Sequence, residues 1–242
     1  MFLHKSDTFT IYFGDASDKI NPQEYLNNPA DIFFTQNQSI QQLIVKFPLN
    51  HLYFTHQVHG IDGIRVTPQL ISNTAAFSTH ADFLHTTSPA IGLGIMTADC
   101  LPIIFADPIN KAIAVIHAGW RGSVQNIAQI ALQRMYTIHG TRATDILVFF
   151  GPSARACCYK VGPEFVDIIG QTAYHQNVLE ERNGKLFLDV SQFNYNQLIA
   201  AGVQLQSISQ EYNVCTICDV RFCSYRRDAQ HSGRQMTIIS LV

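Results

Sequence analysis

Three short apolar runs crowd one stretch of this chain: Ile91 to Thr97, Ile103 to Ala106 and Ala112 to Ile116. Each is bounded by Gly, Pro, Asp or Asn and is shorter than an ordinary helix. They lack the polar alternation of a half-solvated strand, so they read as strands buried on both faces. Helical periodicity follows directly. After Gly122-Ser123, the residues Val124, Ile127, Ala131, Met135 and Ile138 form one stripe, and Gly140 stands where a left-handed glycine ends a helix.

The remaining elements are shorter. Thr8 to Phe13, Leu52 to Thr55, Ile64 to Thr67, Asp145 to Phe150 and Met236 to Val242 have strand character. Asn37-Gln38-Ser39 offers an N-cap for a helix holding Ile40, Leu43, Ile44 and Phe47. Pro163 to Ile169 and Ser191 to Ala201 are further helix candidates, the second with Ser191 as N-cap and Gly202 as stop. Strands and helices mix irregularly, and no repeat or Pro/Gly/Ser linker divides the chain. The expected class is α+β, one domain over residues 1–242, with residues 1–50 as a preamble. An apolar share of 47% excludes disorder, and only 14% charged residues fits a thick core or a hidden interface.

Sixteen Lys+Arg against eighteen Asp+Glu leave a net charge of −2. No basic run exceeds Arg226-Arg227, which argues against nucleic acid as a partner. The opening residues lack a secretory apolar region, and no stretch approaches the roughly 18 consecutive apolar residues of a membrane span. The expected compartment is the cytoplasm. In a reducing setting the six cysteines are packing residues, metal ligands or nucleophiles rather than a disulfide framework.

His59, Cys100 and His117 each follow or end a short apolar run among small turn residues. Their separations match no compact zinc motif, and a histidine near a strand end is commonly a hydrogen-bonded turn residue. Their types are more telling. Two imidazoles and a thiolate suit zinc or copper and leave a fourth position open, as catalytic metals require. Asp99 is placed to hold a ligating imidazole or carry a proton. Arg121 lies beside Trp120 in a Gly-flanked turn, where a helix start could help it bind an anion.

The motifs around these residues carry a resemblance. QVHG at 57–60, MTADCLP at 96–102 and HAGWRG at 117–122 look like the central signatures of the YfiH family, also called the multicopper polyphenol oxidoreductase or laccase-like domain. GPS at 151–153, CCYKVG at 157–162, LDV at 188–190, CT at 215–216 and SYRRD with SGR at 224–234 follow in the family's order, so the similarity spans about 54–242. The resemblance implies a layered α/β sandwich with mixed sheets, related to the catalytic domain of cytotoxic necrotising factor. It implies zinc, or copper, on His59, Cys100 and His117. It also implies purine nucleoside phosphorylase, methylthioadenosine phosphorylase and adenosine deaminase activities, with phenol oxidation reported for some members and a peptidoglycan editing factor among them. This chain departs from the pattern twice. Family members begin with an arginine-glycine-glycine segment, whereas the first arginine here is Arg65 and no Gly-Gly pair precedes it. The family's Tyr-Glu-Val-Gly is Tyr159-Lys160-Val161-Gly162, a reversal of charge.

The leading expectation is therefore a zinc enzyme acting on purine nucleosides, with phosphate as co-substrate for phosphorolysis. Cys100, Asp99 and His117 are its catalytic candidates. Arg121, Arg226, Arg227 and Arg234 are the available phosphate cations, and Tyr225 could stack on a base. Three other readings compete. Copper would load readily at such a site, but the chain has no His-x-His pair of the kind that holds several coppers. A metal-free hydrolase would use Cys100 as nucleophile and His117 as base. A binding protein would recognise a cell-wall nucleotide precursor without turnover. Cys215-x-x-Cys218 with Cys223 lacks the second pair of a zinc ribbon. Although Cys157-Cys158 could lend a ligand, the expectation for these residues is reduced, partly buried thiols.

Overall fold

The computed structural model describes residues 1–21, 37–47 and 49–242. The apolar runs become the centre of two stacked sheets. One sheet has the order β1 (Phe2–Lys5), β2 (Phe9–Phe13), β14 (Gln235–Leu241), β6 (Ile91–Thr97), β3 (His51–Phe54). The other runs β13 (Ile208–Ser209), β9 (Leu147–Phe150), β7 (Leu101–Asp107), β8 (Ala112–Ala118), β5 (Phe83–Thr86), β4 (Gly63–Arg65). A small antiparallel piece is made of β10 (Lys160–Val161), β12 (Lys185–Leu188) and β11 (Leu179–Arg182). The β3–β6, β4–β5 and β9–β13 pairs are parallel and the others antiparallel, so both large sheets are mixed. The α-helices among the described residues are α1 (Gln38–Lys46), α2 (Pro68–Asn73), α3 (Trp120–Val124), α4 (Ile127–His139), α5 (Glu164–Gly170), α6 (Val190–Ala200) and α7 (Tyr225–Asp228).

Strand alternation builds four layers from this list. Phe9, Ile11, Leu93, Ile95 and Ile239 of one sheet meet Leu84, Ile104, Ile113 and Val115 of the other. The opposite face of the second sheet sends Ile103, Phe105, Ala114 and Ile116 against Ile127, Ala131 and Met135 of α4 and Phe193 and Leu198 of α6. The outer face of the first sheet packs Tyr12, Phe54 and Ile238 on Ile40 and Leu43 of α1. Every residue of β6, β7 and β8 is buried, as strands covered on both faces must be. Close sheet packing fixes one glycine: a Cβ on Gly94 would lie 2.3 Å from the Phe54 ring beside it. The result is a mixed α/β single domain of layered sheets, not a closed barrel, and none of its described helices is long and apolar enough to cross a membrane.

Several local expectations need correction. The stripe from Val124 to Ile138 is two helices, because Asn126 adopts a left-handed conformation at φ 65° between α3 and α4. Gly140 does end α4, at φ 75°. Asp189, not Ser191, caps α6, its side chain accepting from the Gln192 N–H. Nor are the first residues a mere preamble. β2 pairs with the C-terminal β14, which fixes both ends of the described chain in one sheet. Asn37 caps α1 through the Ile40 N–H, as its sequence position predicts.

Candidate metal centre and cavity

All three ligand candidates reach the same end of the inter-sheet layer. β3 and β6 run parallel, so the loops that leave them, carrying His59 and Cys100, emerge together. β7 starts where β8 ends, and Pro102 pairs with His117. That register sets Cys100, just before β7, beside His117. The ligand nitrogens and sulfur of His59, Cys100 and His117 all lie within 4.8 Å of one another. The His59 and His117 rings meet edge to face with centroids 4.8 Å apart. His117 is buried, Cys100 half-buried and His59 exposed, so the cluster opens to solvent on one side.

The supports around the cluster explain the motifs. Gln57 clasps β6 by donating to the Met96 carbonyl and accepting from the Met96 N–H, both at 2.8 Å. Gly119 leaves room: a Cβ there would stand 3.0 Å from His59 Cδ2 and 3.1 Å from Cys100 Sγ. His59 and Asp99 both hold positive φ, 60° and 84°, a strained conformation for residues with side chains.

The decisive support is a residue that sequence reasoning passed over. Asp82, fully buried just before β5, accepts from His117 Nδ1 at 2.8 Å. Its two oxygens also accept from the backbone N–H groups of His59 (2.9 Å), Gly60 (2.7 Å) and Val58 (3.2 Å). A carboxylate on Nδ1–H turns Nε2 toward Cys100, and displacement of the Nε2 proton by a metal would give the ion a lone pair there. The role of imidazole holder, expected of Asp99, belongs to Asp82. Burial alone would raise the Asp82 pKa, but the His117 hydrogen bond and charge and the N–H groups of Gly60 and Val58 hold it below the ordinary range. Burial likewise opposes ionisation of Cys100, yet His117 and His59 draw the thiol down, while Cys100 and Asp82 draw His117 up. Without a metal, the pair leans toward thiolate and imidazolium.

The cluster floors a cavity of about 460 Å³ whose described lining includes Phe77, Trp120, Arg121, Tyr159, Tyr225 and Arg226, with Arg234 and Asp99. Arg121 stacks over Trp120 at 4.5 Å and makes no ion pair among the described residues. α3 is a single turn and gives it no extended helix start. Arg226 lies over Tyr159 at 4.8 Å and donates to the Lys160 carbonyl. Arg234 leans on Tyr225 at 5.9 Å and caps the Ser232 and Gly233 carbonyls. Arg227 is not part of the described lining. Its guanidinium is spent on the carbonyls of Thr216, Ile217 and Phe222 and on Asp228, which makes it a latch for a loop rather than a phosphate ligand. Asp99 accepts from the Thr216 hydroxyl at 2.7 Å and from the Arg226 N–H at 2.6 Å, at the cavity wall.

Comparison with known proteins gives this arrangement a family. The model described as multi-copper polyphenol oxidoreductase laccase matches residues 26–242. The chain belongs to that family. The match begins at residue 26, within the stretch read from the sequence as a preamble. The purine nucleoside phosphorylase YlmD of Geobacillus stearothermophilus is 35% identical over 201 residues, covering 80% of this chain and 73% of that protein. An adenosine deaminase, RL5, from an unknown prokaryotic organism is 36% identical over 160 residues, which is 64% of this chain and 60% of the deaminase. Among solved structures, the YfiH protein of Bacillus licheniformis superposes with a TM-score of 0.82 at 25% identity, covering 97% of this chain and 93% of that one.

Proposed function

We propose that the chain is a zinc-dependent purine nucleoside enzyme: it cleaves adenosine, inosine and methylthioadenosine with phosphate and also deaminates adenosine. The observation that carries this reading is the meeting of two imidazoles and a thiol within 4.8 Å on the floor of a cavity walled by aromatic rings and arginines. The names of the relatives support the substrate class.

The donor set fits zinc: two nitrogens and one sulfur, one imidazole already oriented by Asp82, a glycine giving clearance, and one side open. When bound, the ion supplies Lewis acidity at the cavity floor. The chain's own groups do the rest. Tyr225 is the exposed aromatic ring for a purine, with Trp120 and Tyr159 in the same wall beneath Arg121 and Arg226. Arg121 carries the uncommitted guanidinium for phosphate, with Arg226 and Arg234 as supporting charge. Asp99, which accepts from the Thr216 hydroxyl and the Arg226 N–H at the wall, would carry the proton for the departing or attacked group.

Product analysis tests the proposal. Ribose 1-phosphate formed only with added phosphate, and ammonia released from adenosine, are the expected results. Both should vanish in His59→Ala and Cys100→Ser. Neither product from any purine nucleoside would refute the proposal.

The Asp82–His117–Cys100 alignment favours one second reading, a cysteine hydrolase in which His117 activates the Cys100 thiol. Alkylation of Cys100 by iodoacetamide separates the two. Protection by added zinc supports the metal centre, whereas equal labelling with and without metal supports the hydrolase.

A further inference from the structure

Four cysteines on two distant segments meet outside this cavity. Cys157 and Cys158 lie in the turn before β10, and Cys215 and Cys218 in the turn after β13, yet all four sulfurs lie within 4.8 Å of one another. None is in a disulfide, and Cys223, near them in sequence, stands apart and buried. The Cys158 and Cys218 sulfurs lie 2.6 Å apart and those of Cys157 and Cys218 3.4 Å apart. The thiols are reduced and in part buried, as expected, and four of them are gathered in one place.

We propose that Cys157, Cys158, Cys215 and Cys218 form a second metal centre, a tetrahedral zinc–thiolate site separate from His59, Cys100 and His117, which staples together two loops of the cavity wall. Four thiolates are the donor set of structural zinc, and zinc–sulfur bonds of about 2.3 Å place tetrahedral sulfurs about 3.8 Å apart. The cluster brackets that spacing, and the Cys158 and Cys218 sulfurs need to part by only about 1 Å to reach it. The second segment is already shaped to hold a thiolate. The backbone N–H groups of Cys218, Arg155 and Ile217 point at Cys215 Sγ, donors that a metal-bound sulfur accepts from. The two turns are also joined by backbone pairing: Ser153 donates to the Val214 carbonyl and accepts from Thr216 N–H. Each cysteine segment leads straight into the wall. Cys158 precedes Tyr159, under the Arg226 guanidinium, and Cys215 precedes Thr216, whose hydroxyl holds Asp99. A metal here would fix the position of Asp99 and Tyr159 without touching substrate.

The test is metal content, measured in a His59→Ala/His117→Ala background so that the first centre does not contribute. Purified full-length protein in that background should retain one zinc per chain. The ion should be lost when Cys215→Ser and Cys218→Ser are added, and kept when Cys223→Ser is added instead. Cobalt substituted in the same background should give thiolate charge-transfer absorption and the intense visible bands of a tetrahedral site. If the double cysteine variant does not fold, Cys157→Ser alone should weaken zinc in a chelator competition by more than the roughly 10–100-fold that loss of an outer-shell partner costs. Zinc content indifferent to the cysteine substitutions would overturn the proposal. So would a native mass lighter by a pair of hydrogens than the reduced chain with no bound ion, since that would mean a Cys158–Cys218 disulfide. Neither result depends on whether the first centre turns over nucleosides.

Discussion

Replacing Asp82 with asparagine should cripple the His59–Cys100–His117 centre without removing a ligand. Asp82 accepts four hydrogen bonds, two on each oxygen: His117 Nδ1 and His59 N on one, Val58 N and Gly60 N on the other. An amide keeps one oxygen. If its NH2 faces Val58 and Gly60, it meets two donors in a buried site. If it faces His117, the imidazole must present a lone pair at Nδ1 and carry its proton on Nε2, which removes the metal-binding lone pair. Either orientation leaves at least one buried N–H unpaired, a loss of about 1–3 kcal/mol. At about 2–4 °C per kcal/mol for a chain of this size, that is a fall of several degrees in Tm. Metal affinity should fall by about 10–100-fold, or about 1.4–2.7 kcal/mol. A zinc titration against a chromophoric chelator measures the second quantity, with the difference between wild type and His117→Ala defining this centre's signal. A folded Asp82→Asn protein that binds zinc as tightly as wild type would refute the positioning role.

Three further outcomes follow from the same geometry. Gly119→Ala places a methyl about 3 Å from both His59 and Cys100, so zinc binding and turnover should drop at least tenfold while far-UV circular dichroism stays unchanged; normal zinc affinity would contradict the close approach. Arg121→Ala should raise KM for phosphate far more than for inosine in steady-state phosphorolysis, and an equal rise for both would assign Arg121 to the nucleoside instead. Buried His85, hydrogen-bonded to His139, is pushed down to about 4 by burial and by His139, Arg134 and Arg65. The unfolded chain therefore takes up a proton first as pH falls below 6.5, so stability is full above that pH and lost toward 4. Urea unfolding between pH 7 and 4 should cost wild type up to about 3 kcal/mol more than His85→Gln, and parallel pH curves would exclude the effect.

How far the sequence reached depends on how local each signal is. The apolar runs of β6, β7 and β8 reveal burial on both faces, and that burial is what stacks the sheets. His59, Cys100 and His117 were legible by type and motif, and the register of Pro102 against His117 brings two of them together. Asp82 was missed because nothing marks it locally except a carboxylate heading an apolar strand. Its partners are Val58 to Gly60 and His117, distant in sequence and joined only by the sheet. Arg227 looked identical to Arg226 as one of two adjacent cations, and only the carbonyls of a separate loop assign it to structure. The break at Asn126 was hidden because the helical stripe continues across it. The four-cysteine cluster shares that obstacle, since its halves meet through the Ser153–Cys215 pairing rather than through a spacing.

The most direct test of the central claim is to return zinc to metal-stripped protein while following ribose 1-phosphate formation from inosine and phosphate. Turnover should be absent without metal, recover in wild type as zinc is added, and stay absent in His59→Ala/His117→Ala at every zinc concentration. Undiminished turnover by the stripped wild-type protein, or recovery in the double variant, would contradict the claim that these three side chains hold the reactive centre.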